Sequence, residues 1–271
     1  MHYSDRPPNP TRSELRSPST YWKVTIALLT LGLGSCDRPI PQPAPPSPSI
    51  SPVAATAPPL APPPPTAADR AAANTLRQQG LDYRKQGRYD EAIAALQKAV
   101  ELDPSNVSGR VILGWTLHLA GRETAAAEQL NQVLAQQPND VPALNALGIV
   151  YLVSGDLTAA VQTHQKAVTL QPDNEIGYFN LSLAYHRLNR YSEAIANAQR
   201  ATQLEPENPH PWMALAIAHW GNNETAQAQT AYQQAVRLDA RYRNAATLQR
   251  LTFAGFSQNQ IQLTEIIRQS M

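Results

Sequence analysis

Metal binding and nucleophilic catalysis would draw first on six histidines and one cysteine in this 271-residue chain. No serine, cysteine or lysine stands in a recognisable nucleophile motif with a base beside it. No glycine-rich phosphate loop is present. Cys36 is the only cysteine, so it can neither form an intramolecular disulfide nor build a cysteine-rich zinc site. The reading is therefore of a non-enzyme with no catalytic residues, no metal, no cofactor and no small-molecule substrate. Charge is balanced, with 22 basic and 21 acidic residues, whereas a sequence-independent grip on nucleic acid needs a basic excess. Nucleic acid is excluded as a partner on that ground.

The chemistry open to Cys36 is set by where it stands. A basic segment with Arg6, Arg12, Arg16 and Lys23 leads into an apolar run from Val24 to Leu33. That run is too short for a spanning helix, which needs about 20 apolar residues, and suits the h-region of a signal peptide. Leu33-Gly34-Ser35-Cys36 follows at once and resembles the bacterial lipobox. The resemblance implies a signal peptide over 1–35 that is removed, and Cys36 as a lipidated N-terminus bearing acyl chains such as palmitate. It implies export and anchoring in the cell envelope, with inner and outer membrane both open. Several acyl chains hold a protein stably where one does not. The long n-region, with Pro7, Pro8 and Pro10, departs from that pattern and leaves the true start open. Removing residues 1–35 takes away those four basic residues together with Asp5 and Glu14, leaving 18 basic and 19 acidic.

The elements that must carry any binding site come next. Of 24 prolines, 17 lie before residue 66, and 13 of those fall between Asp37 and Thr66. A segment so rich in proline buries no core and favours extended polyproline II. Residues 36–66 therefore read as a lipidated cysteine followed by a disordered spacer.

Beyond it the chain repeats itself. Pro104, Pro138, Pro172 and Pro206 are 34 residues apart, as are Ala92, Ala126, Ala160, Ala194 and Ala228. Gly80, Gly114 and Gly148 keep the interval, then Ser182 and Ala216; Gly87, Gly121 and Gly155 keep it, then Asn189 and Asn223. In the first copy Leu76, Gly80 and Tyr83 fall at helical spacing, Gly87 supplies a turn, and Ala92, Leu96, Ala99 and Val100 mark a second helical face. Small residues at the Gly80 and Ala92 positions let the two helix axes approach closely.

The pattern resembles the tetratricopeptide repeat, read as W-x2-L-G-x2-Y, A-x3-F and P. Leu144, Leu147-Gly148, Tyr151, Ala160 and Pro172 carry it in the third copy, and Trp212, Leu215-Ala216, Ala228 and Tyr232 in the fifth. His164 and Ala198 stand where a large aromatic is usual, which puts local packing in question. The resemblance implies an all-α, right-handed superhelix (an α-solenoid) of five helix pairs over 67–242, about 73–106, 107–140, 141–174, 175–208 and 209–242. Residues 243–271 are expected to cap it. Arg243–Ala254 continues a helical pattern, and Ser257-x-x-Gln260 starts a last helix. Thr66-x-x-Asp69 is a capping box at the other end.

Carried onto this chain, the family's concave groove is lined by one side of each repeat's first helix. Those positions include Arg77, Arg84, Trp115, His118, Ile149, Leu152, Phe179, Leu183, His186, Arg187, Met213, Ile217 and Trp220. One slot, Leu81, Trp115, Ile149, Leu183 and Ile217, is apolar in all five copies. The groove is expected to bind an apolar or amphipathic segment of a protein partner. The competing reading is internal: these chains pack against neighbouring helices, or are covered by the Ile261–Ile267 helix or a second copy of the chain. His118 and His186 lie two repeats apart, too far to share a metal when neighbouring helices are about 8–10 Å apart. His219 takes the slot of Tyr83 and reads as a core histidine. The lysine/asparagine clamp of carboxylate-binding members is missing. The expected role is a lipid-anchored extracytoplasmic scaffold for envelope assembly. Alternatives are a pilotin-like factor for a secretin or pilus, an adaptor for peptidoglycan hydrolases, and, distantly, an enzyme of unknown class.

Overall fold

The computed structural model describes residues 64–271; the expected signal peptide, Cys36 and linker residues 37–63 lie outside them. Among the described residues all regular structure is helical. Ten helices follow as five pairs: α1 Ala67–Lys85 with α2 Tyr89–Leu102, α3 Val107–Leu119 with α4 Glu123–Gln136, and α5 Val141–Ser154 with α6 Leu157–Leu170. Then come α7 Glu175–Arg187 with α8 Tyr191–Leu204, and α9 Pro209–Gly221 with α10 Thr225–Leu238. Partners within a pair touch most, successive pairs next, and the first helices α3, α5, α7 and α9 also touch one another in order. That is the contact pattern of a solenoid.

Local chemistry sets the helix ends. Thr66 and Asp69 close the expected capping box: each backbone N–H donates to the other's side chain, at 2.9 and 3.1 Å. Asn106, Asp140, Asn174 and Asn208 form a further series at 34-residue spacing, and each accepts a backbone N–H in the first turn of its helix. Such caps contribute typically ~1 kcal/mol each. Between the helices of a pair the backbone turns through positive φ. Gly87, Gly121 and Gly155 do this first, and Asn189 (58°) and Asn223 (62°) take over in the last two repeats. Asparagine tolerates this region better than other side chains.

The small-residue series act as expected. A Cβ on Gly80 would lie 2.6 Å from Leu96, and one on Gly114 2.8 Å from Leu130. Ala92, Ala126, Ala160, Ala194 and Ala228 are all fully buried. His164 packs flat against Gly148, where a Cβ would meet the ring at 2.5 Å, and both its ring nitrogens are buried without a hydrogen-bond partner. The imidazole thus serves as the flat filler for which the pattern uses an aromatic.

One expectation needs correction. Arg243–Ala254 is not a continuous helix. A 3-10 turn, Ala240–Arg243, leads to the single-turn α11 at Ala245–Leu248, a 3-10 stretch Gln249–Ala254, and Gly255 at φ 87°. A 3-10 helix aligns residues i and i+3, which points Leu248 and Leu251 together into the core. Ser257 and Gln260 then cap α12, Gln258–Gln269, in a complete capping box.

Candidate functional site

The five apolar slots share a register but not an environment. Leu81, Trp115 and Ile149 are half-buried. Leu183 and Ile217 are fully buried, as are Leu152 and Met213 beside them. The difference comes from residues 248–261, which turn back over the first helices of repeats three to five. Leu248, Leu251, Phe256 and Ile261 join Leu152, Leu183, Met213 and Ile217 in one apolar core. The Phe256 ring stands 6.0 Å from that of Phe179, which is half-buried. Gly255, at φ 87°, turns the chain against this face, where a Cβ would lie at ordinary contact distance: 3.7 Å from Leu183, 3.8 Å from Asn180 and 3.9 Å from Leu152.

Polar contacts pin this crossing. The Gln260 amide donates to the Leu183 carbonyl at 3.2 Å and points at His186 Nδ1 at 3.4 Å, while its carbonyl oxygen accepts from the Ser257 N–H at 2.9 Å. His186 is buried edge-on against Tyr191, with Nε2 lacking a partner. Burial pulls its pKa down to about 4, offset only in part by the Ile217 backbone. Arg187 donates to the Leu152 carbonyl, in the last turn of α5, where a cation also opposes the negative end of the helix dipole. Trp220 is half-buried against the same core. Leu152, Leu183, His186, Met213 and Ile217 are therefore internal positions rather than an open lining. The apolar surface that repeats four and five turn inward is satisfied by the chain itself.

Repeats one and two, and Ile149 of repeat three, remain open along the same face. Trp115 lies against a second core built from Leu96, Leu113, Leu117, Leu130 and Leu147, and its ring is 5.0 Å from that of His118. His118 is held by Glu123, Nδ1 to Oε2 2.7 Å. Arg77 donates to Asn74 at 2.6 Å, and Arg84 is half-buried at the end of α1. His219, the expected core histidine, is buried and paired with Glu224. Among the described residues no three His, Cys, Asp or Glu side chains gather, and no helix is long and apolar enough to cross a membrane. The pattern marked Gln260 only as a capping residue, and did not mark Gly255 or Phe256. A glycine followed by a lone phenylalanine at the end of a helical run was the available signal.

Comparison with known proteins agrees with this architecture. A family model described as "Tetratricopeptide repeat" matches residues 77–141, 124–175 and 145–209, and a second of the same description matches 185–251. No curated protein matches the chain in sequence. Among solved structures, "MamA 41-end from Desulfovibrio magneticus RS-1" is similar at TM-score 0.57 and 21% identity, over 62% of this chain and 96% of that one. A thermophilic TPR protein of Thermus thermophilus, TTC0263, aligns at 0.53 and 22%, over 62% and 92%. "MamA MSR-1 C2" aligns at 0.52 and 26%, over 62% and 97%.

Proposed function

The chain belongs to the tetratricopeptide repeat family, and from that premise we propose that it is a lipid-anchored, extracytoplasmic adaptor that grips a protein segment on the concave face of repeats one to three. The observation that carries the reading is the contrast within one slot. Leu81, Trp115 and Ile149 stay partly exposed where Leu183 and Ile217 are sealed. Aromatic side chains tend to dominate interface energetics, which makes Trp115 the anchor. Arg77 and Arg84 border it and set orientation and on-rate through effects that weaken with salt. The apolar run ending at Cys36 supports lipid anchoring in the cell envelope, and the proline-rich linker supports a module held away from the lipid.

Two substitutions test this in the full chain. A photocrosslinking residue in place of Trp115 is expected to capture a partner protein, and one in place of the sealed Ile217 to capture none. Capture of a second copy alone, or equal capture at both positions, overturns the assignment. Cys36→Ser is expected to release the protein from membranes and end palmitate incorporation. A variant that stays membrane-bound removes the anchoring part.

A further inference from the structure

The C-terminal segment treats repeats three to five as a peptide site. It supplies an aromatic anchor, Phe256 on Phe179, and a glycine whose positive φ turns the chain where it meets Leu152 and Leu183. Its Gln260 amide reaches the Leu183 carbonyl of α7. The titratable group that the Gln260 amide touches is His186. His186 Nδ1 accepts from Gln260, so in the neutral ring the proton sits on Nε2, buried and unpartnered.

Beyond the Ile217 backbone, which offsets burial only in part, the surroundings of His186 offer a cation no charged partner. From α8 the titratable group against the ring is Tyr191. On α12 the charged pair Glu265–Arg268 is closed on itself at 2.6 Å. On α9 the nearby backbone is that of Ile217, and His219 is committed to Glu224. On α7 Arg187 is committed to the α5 carbonyl of Leu152. Protonation would therefore place an uncompensated charge in the core, and would turn Nδ1 from an acceptor into a donor aimed at the Gln260 amide donors. Both penalties vanish if α12 lifts away and the ring meets water.

We propose that residues 249–269 are a releasable cover over the concave face of repeats three to five, and that protonation of His186 releases it. Opening takes up one proton, because burial holds the closed-state ring near 4, below the ordinary 6.5. The ratio of open to closed molecules therefore rises tenfold per pH unit below about 6.5, flattening near pH 4. The face it bares, with Phe179, Leu183, Met213 and Ile217, is then continuous with the Trp115 stripe.

Amide hydrogen exchange on the full chain, with protection corrected for the intrinsic pH dependence of exchange, reads this directly. Between pH 7 and pH 4.5 protection in α12 and 249–254 is expected to fall about tenfold per unit below 6.5, while α3 and α4 hold theirs. His186→Asn, which stays neutral, is expected to flatten the α12 response. His164→Phe, which removes the other buried imidazole, is expected to leave it intact. Loss of protection in α12 and α3 together means global acid unfolding and overturns the proposal, as does an α12 response that survives His186→Asn or vanishes in His164→Phe. The wild-type contrast between α12 and α3 and the His164→Phe arm decide the matter even if His186→Asn does not fold.

Discussion

Repeats one and two and repeats four and five are built to one pattern, yet they end in different states. Trp115 and Leu81 sit in the same slot as Ile217 and Leu183, on helices capped by Thr66 in the first repeat and by Asn106, Asn174 and Asn208 in the others, and each pairs through small residues at the same register. The first two remain half-exposed and the second two are sealed. Orientation is a property of the repeat, fixed by its period. Exposure is decided by a non-repeating segment that chooses which repeats to cover.

That comparison breaks most visibly at the cover. Phe256→Ala removes a buried aromatic and leaves a cavity beside Phe179, so a loss of about 3–5 kcal/mol is expected, read as a drop of roughly 10 °C in thermal melts. Phe253, in the same segment but half-exposed, provides the control: Phe253→Ala is expected to stay within ~0.5 kcal/mol. Equal effects would mean the segment lies on the surface.

Acid is the next lever, and it acts on the covered half. Burial lowers both His164 and His186 to about 4. Between pH 6.5 and 4 the unfolded chain binds protons that the folded chain refuses, so stability is full above 6.5 and is lost as pH falls toward 4. The slope is about 1.4 kcal/mol per pH unit for each imidazole. Glu175 opposes this. Burial first, then Glu205, raises its carboxyl to about 7, so the folded chain keeps a proton that the unfolded chain releases above about 4.5. Burial lowers His210 as well, so three imidazoles stand against one raised carboxyl and leave a net loss with acid. Urea midpoints that rise from pH 6.5 to 5 would contradict it. His164→Phe, which fills the slot with the family's usual aromatic, removes two unsatisfied nitrogens and is expected to gain about 1–3 kcal/mol and to soften the acid loss.

Much of the fold was legible because it is written locally and five times over. The glycine turns, their asparagine replacements at Asn189 and Asn223 and both capping boxes depend on residues a few positions apart, and the close approaches of Gly80 to Leu96 and Gly114 to Leu130 stay within one repeat. The Asn106–Asn208 cap series lies in the sequence at the same interval and needs only to be read. The site was legible as a face, not as an opening. Gly255 meets Leu152 across about a hundred residues of chain, and no period encodes such a contact. Gln260 scans as the second half of a capping box, and it is; nothing local says that its amide also reaches Leu183. His164 read as a flaw in the pattern and proves a packed filler, because burial keeps it neutral.

The most direct test sets one slot against itself. In thermal and urea melts of the full chain at pH 7.5, Ile217→Ala is expected to cost about 2–5 kcal/mol, as a sealed aliphatic does, and Trp115→Ala about 1 kcal/mol while abolishing capture of the partner. Equal losses of stability, or partner capture that survives Trp115→Ala and disappears with Ile217→Ala, would contradict the division of the groove into an open half and a covered one.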